Sequence, residues 1–218
     1  MNSQEPEKFR FLPKAVIAGA LGVSDKISLF FVRLKFTPAT LTVLGLLAGL
    51  AAGILFALGH PLWAWLAIIV CGFADTIDGR VAARTNKRSA FGAILDSSFD
   101  RYTEFFIYTG LAVAFLGRWL MGLAALAFLG STMVSYTRAR AESLGFECKI
   151  GMMQRAERLF LVGAGAFIGS VFNIYDAAMI TALALVGLFS NITAVQRIFY
   201  VQKVERDRAG KGDVSGHE

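Results

Sequence analysis

Long apolar runs separated by short charged clusters dominate the chain. Six segments contain no Asp, Glu, Lys, Arg or His. A helix needs about 20 residues to cross about 30 Å of hydrocarbon, and four of the segments approach or reach that length. The pattern therefore predicts an all-α membrane protein with six transmembrane helices. The segments are 39–59, 61–74, 105–117, 119–137, 159–175 and 177–196.

The second and third segments are too short to cross a bilayer unless their helices extend into charged sequence. Such extension gives helices over about 61–84 and 90–117 and draws acidic side chains into the membrane. Charged groups at that depth are costly and usually have a function. The acidic residues concerned are Asp75, Asp78, Asp96, Asp100 and Glu104.

Basic residues lie on one side of the predicted spans. They cluster before Thr37, at 80–88, at 138–158 and after Arg197, and only Arg118 lies at the opposite ends of the helices. Loops rich in Lys and Arg stay in the cytoplasm. We therefore expect a multi-pass protein of the inner, cytoplasmic membrane with both termini in the cytoplasm.

The segments that flank the predicted spans are amphipathic or polar. Residues 8–14 are basic and precede an apolar stretch at 15–23, which predicts an interfacial helix on the cytoplasmic leaflet. A secretory signal peptide is the alternative, although no clear cleavage site follows. The expected organisation is a cytoplasmic segment with the interfacial helix over 1–37, a six-helix transmembrane domain over 38–203 and a disordered cytoplasmic tail over 204–218.

Composition supports a membrane protein. Of the 218 residues, 56% are hydrophobic and 17% are charged, which is too apolar for an ordinary soluble enzyme. The net charge of +6 is explained by cytoplasmic loops on anionic lipid, so nucleic acid is not an expected partner. Two cysteines cannot build a disulfide framework.

Four aspartates are expected to converge in the second and third spans. Asp75 and Asp78 are three residues apart, and Asp96 and Asp100 are four apart, so each pair shares a helix face. An antiparallel hairpin that turns near residue 87 brings the two pairs to similar depths. Oxygen ligands suit Mg²⁺ or Mn²⁺, and the absence of nearby His or Cys disfavours zinc. The alternative is that the acids form salt bridges with neighbouring basic side chains: Arg80, Arg84, Lys87, Arg88 and Arg101.

These aspartates and the glycines and alanines near them form a motif that resembles the signature of a known family. The chain reads Asp75-Thr-Ile-Asp78-Gly79-Arg-Val-Ala82-Ala83, then Gly92, Asp96 and Asp100. This resembles the signature D-x-x-D-G-x-x-A-R-x(8)-G-x(3)-D-x(3)-D of the CDP-alcohol phosphatidyltransferases. Seven of the eight fixed positions match at the right spacing, and Ala83 stands where the family has Arg.

The resemblance implies an activity and a set of site residues. It implies transfer of a phosphatidyl group from CDP-diacylglycerol to an alcohol with release of CMP, at the cytoplasmic face of a six-span protein that is usually a homodimer. Two divalent ions, Mg²⁺ or Mn²⁺, would be held by the four aspartates, and Asp100 would be the base on the acceptor hydroxyl. The cytidine diphosphate would lie against Asp75, Asp78, Gly79, Ala82 and Gly92.

Four arginines form a second cluster. Arg138 and Arg140 end the fourth span, and Arg155 and Arg158 open the fifth, so a hairpin brings them to similar depths. Guanidinium forks suit phosphate, although plain cytoplasmic anchoring is an alternative. The pattern resembles the branch of the family with a phosphorylated acceptor, and inositol phosphate is the expected one.

Other acceptors and another class of function stay open. Glycerol-3-phosphate and serine are the alternative acceptors for the same chemistry. An ion or proton transporter is the alternative class, because six spans with buried acids could conduct protons or cations. Against it, no ionisable residues continue through 111–116 or along the last two spans.

Overall fold

The computed structural model describes residues 25, 27–148 and 150–214, with side chains through residue 208. Within this part the chain is helical and contains no strand. The interfacial helix predicted at 15–23 lies outside the described residues. The helices are α1 (residues 27–33), α2 (Pro38–Ala57), α3 (Pro61–Arg84), α4 (Ala90–Ala114), α5 (Leu120–Ser143), α6 (Arg155–Val171) and α7 (Tyr175–Val214).

Local sequence explains where the helices around the aspartates begin. The Thr37 side chain accepts a hydrogen bond from the Thr40 N–H, and Pro38 is the first residue of α2. Ser89 caps α4 in the same way by accepting from the Gly92 N–H at 3.0 Å. Capping oxygens satisfy N–H groups that lack partners within the helix, and proline is favoured at its first position. The Ser89 cap, which follows the end of α3 at Arg84, places the α3–α4 turn close to the residue 87 that the sequence predicts.

Four helices are long and apolar enough to cross a membrane: Pro38–Ala57, Pro61–Arg84, Leu120–Ser143 and Tyr175–Arg208. The chain is therefore an integral membrane protein. The other two predicted spans are not long and apolar enough to be counted by length and composition alone. Helix α6 has 17 residues, and α4 contains three aspartate or glutamate residues and an arginine. The count of six spans stays a prediction.

Helices α2 and α4 approach each other closely through their backbones. A Cβ atom on Gly53 would overlap the Phe106 carbonyl, and one on Gly110 would overlap the Gly53 carbonyl. Gly49 and Thr103 meet one turn nearer the aspartates. Small residues at spacings of four allow membrane helices to touch along their backbones. This contact fixes the position of α4, the helix that carries Asp96 and Asp100.

The remaining helices complete the larger of two hydrophobic core clusters. Helix α5 packs on α4 and α7, and α6 packs on α3 and α7. Phe56, Ile107, Leu111, Phe115 and Leu120 are among the fully buried apolar side chains that join these helices. The packing brings the start of α6 next to the acidic parts of α3 and α4.

Helix α7 is longer than the sequence predicts. It continues through residues 204–214, where we expected a disordered tail. Lys203, Glu205 and Arg206 favour helices, and a helix that is already formed propagates easily. The prediction of disorder is therefore wrong for 204–214, and residues 215–218 lie outside the described part.

Candidate active site

Three of the predicted aspartates meet between α3 and α4. One carboxylate oxygen from each of Asp75, Asp96 and Asp100 lies within 4.8 Å of the others. Asp75 comes from α3, and the other two come from successive turns of α4. This spacing is short enough for the three carboxylates to share a cation.

Asp78 lies beside this group but is not one of the three. It is 5% exposed, and it lines the same small pocket as the other aspartates. The Thr42 hydroxyl of α2 donates a hydrogen bond to Asp78 Oδ2 at 2.8 Å. The fourth aspartate is therefore held by α2, and its part in metal binding stays a prediction.

Arg155 bridges two of the clustered aspartates. Its Nη1 lies 2.7 Å from Asp75 Oδ1, and its Nη2 lies 2.9 Å from Asp100 Oδ1. The side chain is 14% exposed. We predicted Arg155 as a ligand of the acceptor phosphate, and its position among the carboxylates was not expected from the sequence.

The other basic neighbours contribute little to the aspartate cluster. Arg80 and Arg84 pair with Asp25, just before α1, and a hydrogen bond from Arg84 holds the pKa of the Asp25 carboxyl below its usual value. Arg101 Nη2 lies 3.8 Å from Asp100 Oδ2. Among the described residues, the alternative of simple salt bridges therefore fits Arg101 in part, whereas the ion pairs seen for Arg80 and Arg84 are with Asp25.

The carboxylates fit a hard divalent cation. Asp96 Oδ1 is buried and has no hydrogen-bond partner among the residues that the structure describes. Buried polar atoms normally have partners, so this oxygen is suited to a bound ion. The donor set consists of carboxylate oxygens, which Mg²⁺ and Mn²⁺ prefer.

Two cavities adjoin at Asp96, Asp100 and Arg155. The acidic pocket between α2, α3 and α4 has a volume of about 10 Å³. The second, which we call the arginine cavity, has a volume of about 950 Å³. Its wall includes the side chains of Arg101, Arg138, Arg155, Arg158 and Arg197.

The structure separates the four arginines predicted to act together. Arg138 lines the arginine cavity and donates to Glu142 at 2.9 Å, whereas Arg140 is exposed and does not line it. Arg158 lines the cavity but is 1% exposed and pairs with Glu104 at 2.5 Å. Arg155 faces the aspartates. Arg140 therefore lies apart from the cavity that the other three arginines line, and its part in phosphate binding stays a prediction.

Sequence reasoning missed two arginines of this cavity. Arg101 follows Asp100, and this position predicts only a partner for the acids. Arg197 donates through Nε to the Ile150 carbonyl at 2.9 Å and through Nη1 to the Val134 carbonyl. Its sequence position at the end of an apolar run is also typical of a membrane anchor, so no sequence signal distinguished it.

The small residues predicted to contact the nucleotide lie on the turn side of the aspartates. A Cβ on Gly79 would meet no described residue within 4 Å, so this side of α3 is open in the described part of the chain. Gly92 donates its N–H to the Ser89 cap, Ala82 is half-buried, and Ala83 is exposed. The open space permits a ligand to approach, and nucleotide binding by Gly79, Ala82 and Gly92 stays a prediction.

The chain is similar to known lipid-synthesising enzymes. The family model for CDP-alcohol phosphatidyltransferase matches residues 35–201. The chain is 40% identical over 171 residues to an archaetidylinositol phosphate synthase from Methanothermobacter thermautotrophicus, covering 78% of this chain and 85% of the relative. It is 30% identical over 185 residues to a phosphatidylinositol phosphate synthase from Mycobacteroides abscessus, covering 83% and 84%.

Solved structures show the same fold. The crystal structure of Mycobacterium tuberculosis phosphatidylinositol phosphate synthase with CDP-DAG bound superposes with a TM-score of 0.74 at 29% identity, covering 82% of this chain and 93% of the other. The structure of that enzyme in complex with manganese and citrate gives a TM-score of 0.75 at 29% identity, covering 82% and 88%.

Proposed function

The chain belongs to the CDP-alcohol phosphatidyltransferase family, and we propose that it transfers the phosphatidyl group of a CDP-linked lipid to a hydroxyl of inositol phosphate, releasing CMP. One observation carries the proposal: three clustered aspartates lie at the border of a cavity whose wall contains five arginines. Carboxylates for metal ions and guanidiniums for a second phosphate are the groups that this reaction requires.

The aspartates form the reaction centre. Asp75, Asp96 and Asp100, with Asp78 beside them, would hold two divalent ions, Mg²⁺ or Mn²⁺, which neutralise charge on the donor diphosphate and stabilise CMP as the leaving group. Asp100 borders both cavities, so its carboxylate can take the proton of the acceptor hydroxyl. The hydroxyl oxygen then bonds to the lipid-side phosphorus as the bond from that phosphorus to CMP breaks.

The arginine cavity is our proposed acceptor site. Arg101 and Arg138 line it and can present guanidinium groups to a phosphate. An acceptor without a phosphate, such as inositol or serine, would offer no phosphate group to Arg101 and Arg138, in a wall that also carries Glu142 and Glu157. Glycerol-3-phosphate would also suit the wall, and the names of the relatives favour inositol phosphate.

Membrane placement follows from the same assignment. We propose six spans with both termini and the active site at the cytoplasmic face, because the basic loops adjoin the aspartates. The tails of the lipid donor then stay in the bilayer while its headgroup reaches the carboxylates. We also propose a homodimer, and only the family resemblance supports it.

A transfer assay on the full chain tests the function. The protein in lipid nanodiscs is given CDP-diacylglycerol, Mn²⁺ or Mg²⁺, and one radiolabelled acceptor at a time: inositol phosphate, glycerol-3-phosphate, serine or inositol. We expect lipid product and CMP with inositol phosphate and loss of both after EDTA treatment. An ether-linked donor run in parallel identifies the lipid class. Absence of product with every acceptor would favour the transporter alternative.

A further inference from the structure

Arg155 occupies the space where the proposed divalent ions must bind. Its two Nη atoms contact carboxylates from α3 and α4, at 2.7 and 2.9 Å. The pocket around them has about 10 Å³ of free volume, and a cavity of about 10–15 Å³ holds one water. Two ions and a diphosphate cannot enter this pocket while the guanidinium stays there.

A second space is open to the same side chain. Arg155 also lines the arginine cavity, which has a volume of about 950 Å³. Its Nε is buried and has no hydrogen-bond partner in the part of the chain that the structure describes. The guanidinium therefore keeps unused donor capacity at the border of the two cavities, and a phosphate in the larger cavity would satisfy it.

The backbone beneath Arg155 is held in place. Arg158, one turn further along α6, pairs with Glu104 of α4 and donates through Nη1 to the Met153 carbonyl at 3.2 Å. These contacts fix the first turn of α6 on α4. A change in the position of the Arg155 guanidinium consequently requires rotation of its own side chain rather than movement of the helix.

We propose that Arg155 is a displaceable counter-ion: it neutralises Asp75 and Asp100 in the metal-free protein, and metal binding drives its guanidinium into the arginine cavity, where it binds the acceptor phosphate. This inference rests on the proposed function. A divalent ion outcompetes a single positive charge for clustered carboxylates, because Coulomb attraction scales with charge. Binding of the metal and binding of the phosphate therefore strengthen each other, since coupling between two sites is reciprocal.

The first test measures the affinity for metal in the absence of turnover. Mn²⁺ binding to the detergent-solubilised full chain is titrated by electron paramagnetic resonance, with no donor or acceptor present. Arg155→Met removes the competing cation, so we expect about 5-fold tighter binding or more. The matched control is Arg138→Met, which removes a cationic side chain of the same cavity that does not contact the aspartates, and its affinity should equal that of the wild type.

The second test measures the coupling between metal binding and phosphate binding. Binding of inositol phosphate is measured by calorimetry with and without saturating Mn²⁺. The wild type should bind it about 5-fold more tightly or better with the metal, and Arg155→Met should lose this difference. Arg155→Lys, which keeps the charge but cannot bridge both carboxylates, should give a metal affinity between those of the wild type and the Met variant. It also serves as the test variant if the Met variant does not fold.

Failure of the inference is distinguishable from failure of the proposed function. Normal Mn²⁺ binding by the wild type with unchanged affinity in both Arg155 variants overturns the inference and leaves the function in place. No Mn²⁺ binding by the wild type or by either variant overturns the metal site itself, and the inference with it.

Discussion

Arg158 donates through Nη2 to a Glu104 oxygen at 2.5 Å, in the interior of the bundle where each side chain is 1% exposed. The Arg158 Nε donates to the same oxygen at 3.2 Å. The pair joins α6 to α4 next to the aspartate cluster, three residues from Arg155. Arg158, which the sequence pattern predicts to bind phosphate, therefore anchors the helix that carries Arg155.

Removing one member of this pair should destabilise the protein strongly. Glu104→Gln leaves the Arg158 charge buried without its counter-ion, which typically costs about 3–5 kcal/mol. We expect a large fall in the unfolding midpoint of the purified protein in detergent, measured by thermal or denaturant unfolding.

Two variants test whether the lost charge pair is the cause. Glu142→Gln breaks the exposed pair with Arg138 and should change the free energy of unfolding by about 0–1 kcal/mol. The double variant of Glu104→Leu with Arg158→Leu removes both charges and should recover much of the loss. A single Glu104 variant as stable as the wild type would contradict the anchoring role.

The α2–α4 contact should not tolerate a methyl group. Gly53→Ala and Gly110→Ala each place a Cβ against backbone atoms of the other helix, and overpacking costs about 1–3 kcal/mol. Gly72→Ala in α3 is the control, because no atom among the residues that the structure describes lies within 4 Å of its Cβ position. The control should equal or exceed the wild type in stability, since alanine favours helix. Equal stability of all three variants in detergent unfolding would contradict the close packing.

Much of the site's framework was predictable from local rules. Helix α3 begins at Pro61 and ends at Arg84 as expected, because a membrane helix must continue through Asp75 and Asp78 to reach sufficient length. The helical repeat and the short turn then bring the two acidic faces together. Neither step needs knowledge of the rest of the bundle.

The roles of individual arginines could not be predicted. Arg155 and Arg158 have the same charge and lie on one side of α6, but one faces Asp75 and Asp100 and the other faces Glu104. The choice depends on the rotation of α6 against α4, which the local pattern does not specify. Periodicity predicts a face, whereas the partner on that face follows from tertiary packing.

The clustered aspartates should be needed for both metal binding and turnover. Asp75→Asn or Asp96→Asn keeps side-chain volume but replaces a carboxylate with a weaker ligand for a hard cation. We expect transfer to fall to background and Mn²⁺ binding to weaken, while the variant protein remains folded by circular dichroism.

Asp176→Asn is the matched control for these variants. Asp176 pairs with Arg118 at 2.5 Å, and neither residue lines the acidic pocket or the arginine cavity. Its replacement should therefore leave turnover unchanged. Near-normal turnover in either Asp75→Asn or Asp96→Asn would contradict the metal assignment.

Asp100 should affect the chemical step more than donor binding. If its carboxylate takes the acceptor proton, Asp100→Asn should lower kcat by about 10²–10⁴-fold. Binding of CDP-diacylglycerol should change far less, because the other aspartates remain. Single-turnover rates and equilibrium donor binding measure the two quantities. Equal losses in both would make Asp100 chiefly a metal ligand.

The arginine cavity gives the last prediction, in which Arg138 and Arg140 serve as a matched pair. They lie two residues apart in α5, but only Arg138 lines the cavity. Arg138→Lys keeps the charge and loses the planar fork, so we expect the KM for inositol phosphate to rise about 10-fold with the donor KM unchanged. Arg140→Lys should leave both constants at their wild-type values. Cytoplasmic anchoring alone predicts no change in either variant, because membrane topology depends on the charge that Lys and Arg share. A wild-type acceptor KM in Arg138→Lys would therefore remove the support for phosphate binding at Arg138, and serine or inositol would become the acceptors to test first.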